Sequence, residues 1–150
     1  MSILGDIPRE EGSAVTSETD HIARAFVSAR AQAHALADFP GAPPTELAAS
    51  YRVQDAAIAL WPDKVAGWKI GRVPAAQIQA LGAERVAGPI FSRLVWPAKE
   101  GEATLFPVFP GGFAAVEAEL VFRIGTDAPP EQSAWTRAQA AELVGAMHVG

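Results

Sequence analysis

The chain contains no cysteine, which excludes a disulfide framework, a thiolate nucleophile and any zinc–thiolate centre. A cytoplasmic setting is the expectation. Lysine and arginine are also scarce, twelve against seventeen acidic residues for a net charge of −5, and they never cluster. That argues against a nucleic-acid partner or an anionic membrane surface. Long hydrophobic runs are missing too, every apolar stretch being far short of a membrane span. The start, Met1-Ser2-Ile3-Leu4-Gly5-Asp6, carries neither the basic segment nor the apolar core of a secretory signal. No P-loop or dinucleotide fingerprint occurs, and Gly111-Gly112 reads as a turn. Ser92 and Ser133 lack the glycines of a nucleophile elbow, so nothing points to a serine hydrolase.

What remains is a 150-residue chain that is 49% apolar and 19% charged, enough for one globular domain with a single core. Residues 1–16 lack periodicity and are expected to form a loose arm. Ser17-Glu18-Thr19-Asp20 resembles a capping box opening a helix whose apolar face is Ile22, Phe26, Ala29, Ala33 and Leu36. Phe39-Pro40-Gly41-Ala42-Pro43-Pro44 ends it. A second helix starts from an expected Thr45 cap, carries Leu47, Tyr51, Val53, Ala57 and Leu60, and stops at Trp61-Pro62-Asp63.

Beyond this point strand signals dominate. A short strand is expected over 65–70, a helix over 74–81 closed by Gly82, and β-rich segments over 89–96 and 103–109. Turns fall at 97–102 and at 110–112, a strand at 113–122, and a helix at 135–144 capped by Ser133 or Thr136. Helices first, then strands, then a helix indicates an α+β fold. The terminal run Ala146-Met147-His148-Val149-Gly150 reads as the start of a buried strand. The expectation is therefore the front part of a longer fold, covering 17–150, or a fold that a partner chain completes.

Two places could carry chemistry. Glu117-Ala118-Glu119 lies in the last apolar strand, and residues two apart share a strand face. Val116, Ala118, Leu120 and Phe122 would then fill the core-facing side. Two carboxylates about 7 Å apart suit a hard divalent cation, and equally the wet face of an ordinary antiparallel strand. Lys69, in Gly67-Trp68-Lys69-Ile70-Gly71, is a cation where none is expected. It is either a snorkelling edge lysine or a proton-transfer group with room beside it for a ligand. His21 and His34 are thirteen apart, unlike a helical metal pair, and are expected to be solvated or partly packed; His148 reads as a core histidine or, alternatively, as one that faces the site. The tryptophans at 61, 68, 96 and 135 read as packing residues.

Taken in order, Tyr51-Arg52-Val53-Gln54, Gly67-Trp68-Lys69-Ile70-Gly71, Leu81-Gly82, Gly88-Pro89-Ile90-Phe91 and Val116-Glu117-Ala118-Glu119-Leu120-Val121-Phe122 form a recognisable set. Over residues 18–150 the chain resembles the 2-keto-4-pentenoate hydratase and 4-oxalocrotonate decarboxylase family of the fumarylacetoacetate hydrolase superfamily. The resemblance implies front helices packed on a mixed β-roll. It implies Mg²⁺ or Mn²⁺ held by three carboxylates, with Glu117 and Glu119 matching two of them. The third is expected beyond Gly150, since Glu142 does not match it. Lys69 matches the family's site lysine and is the expected catalytic group, with Gly71, Ile90 and Phe91 expected to bind substrate. Val86-Ala87 stands where hydratases of the family commonly carry an acid.

The implied activity is hydration of 2-hydroxypenta-2,4-dienoate to 4-hydroxy-2-oxopentanoate in aromatic-compound catabolism. A decarboxylase, an acylpyruvate C–C hydrolase and a non-catalytic partner subunit are the alternatives. The implied partners are a small 2-oxo acid and further copies of the chain, with a related pathway enzyme as a possible companion.

Overall fold

The computed structural model describes residues 11–150, and side chains from residue 18 onward. The expected loose arm lies largely outside the described residues. The described chain is α+β, with two small antiparallel sheets, and divides into two compact units, Met1–Gly112 and Phe113–Gly150.

In the first unit α1 spans Glu11–Ala31 and α2 spans Leu47–Leu60. The helix is already running at Glu11, so the capping-box reading of 17–20 is corrected. The Glu18 carboxylate instead reaches 24 residues ahead to accept the Ala42 N–H at 3.0 Å. That return passes Gly41, at φ +125°, where a Cβ would collide with Glu18 Oε1. The helix also ends earlier than its apolar spacing suggests. The Ala33 N–H bonds the Arg30 carbonyl, the His34 N–H bonds the Ala29 carbonyl, and Ala33 sits at φ 50°. This is a Schellman stop built on alanine rather than glycine. Leu36 consequently lies in a loop. Ile22 and Ala23 are buried and pack with Val53 of α2, flanked by half-buried Ala56 and Ala57. The N-cap of α2 is Glu46 rather than Thr45, and it makes no side-chain bond to the helix.

A clasp closes the far end of α2. Asp63 accepts the Lys64 N–H at 2.8 Å, the Ser92 hydroxyl at 2.5 Å and the Arg93 N–H at 2.9 Å. The Ser92 hydrogen bond, followed by that of Arg93, holds its carboxyl below the ordinary value. These bonds also turn the chain at Ser92. The strand expected over 89–96 is therefore β2, Arg85–Phe91, followed by a single 3₁₀ turn, Ser92–Leu94. β2 pairs antiparallel with β1, Val65–Arg72, placing Lys69 opposite Gly88 and Gly71 opposite Val86. Helix α3, Ala75–Leu81, links them and is closed at Gly82 as expected. The expected turn at 97–102 forms, with Trp96 and Phe106 in ring contact at 4.9 Å across it. No regular strand follows at 103–109.

In the second unit β3 is Leu120–Ile124, α4 is Arg137–Glu142 and β4 is Val144–Val149. The strand expected at 113–122 is shortened to Leu120–Ile124, and its pairing with β4 extends back to Glu119, which exchanges two hydrogen bonds with Gly150. Val116, Leu120 and Phe122 are exposed, which corrects their reading as a core stripe. Met147, His148 and Val149 are exposed as well, so β4 is not a buried strand and His148 is no core histidine. Thr136, not Ser133, caps α4 through a reciprocal capping box with Gln139. At the bulge of the ribbon Gly125 and Gly145 face each other so closely that a Cβ on Gly125 would stand 2.9 Å from the Gly145 Cα.

Candidate functional site

The first unit holds an open groove of about 460 Å³. One wall is the face of α2 bearing Leu47, Ser50, Tyr51 and Gln54, whose spacings of three, one and three place them together on a helix. The floor is the ladder itself. Lys69 and Gly71 lie two apart on β1, and their partners Gly88 and Val86 lie two apart on β2, so all four share one side of the ribbon. Leu81 and Ala87 complete the lining. Gly88 leaves open space, since a Cβ built there meets nothing within 4 Å.

Helix and ribbon are joined at one point inside this wall. The Tyr51 hydroxyl accepts the Ala87 N–H at 3.0 Å, a part-buried bond across 36 residues of sequence. The Ser50 hydroxyl donates to the Glu46 carbonyl at 3.2 Å. No carboxylate is among the lining residues, where Val86 and Ala87 present apolar side chains.

Lys69 and Gly71 therefore share one groove, with Lys69 exposed on its floor. Ile90 and Phe91 are placed differently. Ile90 pairs with Gly67 and is half-buried. Phe91 is 4% exposed and belongs to a second, smaller hollow of about 100 Å³ shared with Phe26, Arg30, Trp61 and Pro89. Its ring lies 5.7 Å from that of Trp61, and the Arg30 guanidinium stands 5.0 Å from the Trp61 ring and 5.3 Å from that of Phe91. Strand alternation explains the separation, because Phe91 is three positions from Gly88 and so turns to the opposite side. Phe91 packs in this cluster and does not line the groove that holds Lys69 and Gly71.

Glu117 and Glu119 belong to the second unit. Both are exposed; Glu117 precedes β3, and Glu119 is held by its two backbone bonds to Gly150. Among the described residues no group of three histidine, aspartate or glutamate side chains is arranged to hold a metal. Glu117 and Glu119 offer carboxylate oxygens, the donor type a hard divalent cation takes. Among the described residues no helix is long and apolar enough to cross a membrane.

Tyr51 and Gln54 were missed as site residues by composition and spacing. Their separation of three residues marks a common helix face, yet only the fold shows what that face meets. The chain matches no protein-family model, no curated protein and no solved structure.

Proposed function

We propose that the chain is a divalent-metal-dependent hydratase of small 2-oxo acids, converting 2-hydroxypenta-2,4-dienoate into 4-hydroxy-2-oxopentanoate. The observation that carries this reading is the groove. It gathers Tyr51, Gln54, Lys69, Gly71 and Gly88, drawn from the sequence segments on which the family resemblance rests. In this reading the two ribbons are parts of a mixed β-roll, and the apolar residues exposed on β3 and β4 support a homo-oligomer.

Mg²⁺ or Mn²⁺ held by Glu117 and Glu119 would stabilise negative charge on the substrate's 2-oxygen. Lys69 handles protons. Its ammonium delivers one to the terminal carbon of the dienol while the 2-hydroxyl loses its own, leaving the conjugated 2-oxo acid. Water then adds at C4 and C3 takes a proton. Val86 and Ala87 line the groove wall with apolar surface beside the carbon chain.

That same wall favours one second reading, decarboxylation of a 4-oxalocrotonate-type acid, because loss of CO₂ needs a stabilised enolate and a proton donor but no base to activate water. The test follows the ultraviolet absorbance of freshly generated 2-hydroxypenta-2,4-dienoate with the full-length protein, with Mg²⁺ or Mn²⁺ and then with a chelator. Metal-dependent loss of absorbance with formation of 4-hydroxy-2-oxopentanoate supports the hydratase. No loss from a protein that binds the metal moves the assignment to decarboxylation, and no loss without metal binding leaves a non-catalytic subunit.

A further inference from the structure

We propose that Tyr51 is a substrate-contacting hydrogen-bond donor of the groove, giving its hydroxyl hydrogen to an anionic oxygen of a small 2-oxo carboxylate. The inference rests on the proposed 2-oxo acid chemistry and adds to it a residue with a stated role. A phenol carries one donor hydrogen and two acceptor positions. The Ala87 N–H fills an acceptor position, which fixes the oxygen in the groove wall and leaves its hydrogen to be given elsewhere. Ser50, the other hydroxyl of the lining, directs its hydrogen to the Glu46 carbonyl. Gln54 adds an amide, and no lining side chain is a carboxylate. A wall rich in donors and without anionic acceptors is complemented by a ligand rich in acceptor oxygens. The open space at Gly88 gives a short carbon chain room beside these donors.

Tyr51 is the only tyrosine in the chain, so a ¹³Cζ-tyrosine label yields a single resonance that reports this hydroxyl. The probe is oxalate, a planar dianion standing in for the enolate form of a 2-oxo acid, titrated with Mg²⁺ present. Oxalate should shift the resonance, and Tyr51→Phe should weaken oxalate binding tenfold or more, the range for a hydrogen bond to a charged group.

A role limited to fastening α2 to β2 is separated by thermal unfolding, because Tyr51→Phe removes the bond from the Ala87 N–H as well as the donor hydrogen. A fastening role makes the loss of affinity follow a loss of stability, whereas the donor role requires Tyr51→Phe to lose oxalate affinity while it remains fully folded. If oxalate binds but the resonance stays still, or Tyr51→Phe binds it normally, the inference is overturned and the hydratase reading stands. If the unmutated protein neither binds oxalate nor consumes the dienoate, the hydratase reading falls and the inference falls with it.

Discussion

Ile22 is the largest fully buried side chain among the described residues, at 1% exposure, and it joins α1 to α2. Ile22→Ala deletes three carbons. At about 0.8 kcal/mol per buried methylene the transfer cost is about 2.4 kcal/mol. A cavity contribution adds to it, and the neighbourhood sets its size. Ala23, Ala56 and Ala57 are small and cannot swing in to fill the gap, while the last two are half-buried and let the helices settle slightly. The expected total is about 3 kcal/mol, inside the range of roughly 2–5 for isoleucine-to-alanine changes in cores. For a chain of this length that lowers the melting temperature by roughly 6–12 °C. The assay is thermal unfolding by circular dichroism, with Ile22→Val as the graded control at about 1 kcal/mol. A fall of under about 2 °C, or equal losses for valine and alanine, would refute the claim that this cluster holds the helix pair. A Val53→Ala double-mutant cycle should show coupling, because the two side chains share one cluster.

Gly88→Leu should leave the fold intact, since nothing lies within 4 Å of its Cβ position, yet abolish dienoate turnover by filling the groove; unchanged turnover would remove the groove from the site. Lys69→Met should leave metal affinity unchanged and slow turnover by a factor on the order of 10²–10⁴, the usual worth of a positioned acid–base group, in a stopped-flow assay. Glu117→Gln should instead weaken Mg²⁺ binding in a calorimetric titration. Asp63 has its carboxyl held low in the folded state, so its contribution is present above the unfolded-state value and is lost as pH falls through the folded one. Acid titration should therefore loosen the α2–β1 junction in wild type, and Asp63→Asn should flatten that part of the stability–pH curve.

Local punctuation carried much of the fold. Trp61-Pro62-Asp63, Gly82 and Thr136 each mark an element boundary by their own chemistry, and the structure has α2, α3 and α4 where those residues put them. What local signals could not supply is partnership. Residues 113–118 have strand composition, yet the pairing with β4 reaches back only to Glu119 and the regular strand begins at Leu120. α1 outran its capping signal because no proline interrupts Glu11–Ala31, and it stopped at an alanine in the left-handed region that no residue preference announces. The candidate site follows the same division. Lys69 was conspicuous as a cation in an apolar segment, whereas Tyr51 becomes meaningful only through a bond to a strand 36 residues away.

The Tyr51–Ala87 bond also bears on how this protein keeps company with itself. The Glu84 carbonyl takes the Val73 N–H, so alternation points the backbone of residues 87 and 89 away from β1, toward the outer rim of the ribbon. A bare rim is a template on which a foreign strand can add, the first step toward fibrous aggregates. Here one outward donor is occupied by a phenol, and the next position is Pro89, which has no N–H to offer. At residues 87 and 89 the outward edge of β2 therefore presents no free N–H for an added strand, the first taken by the Tyr51 hydroxyl and the second lost to proline.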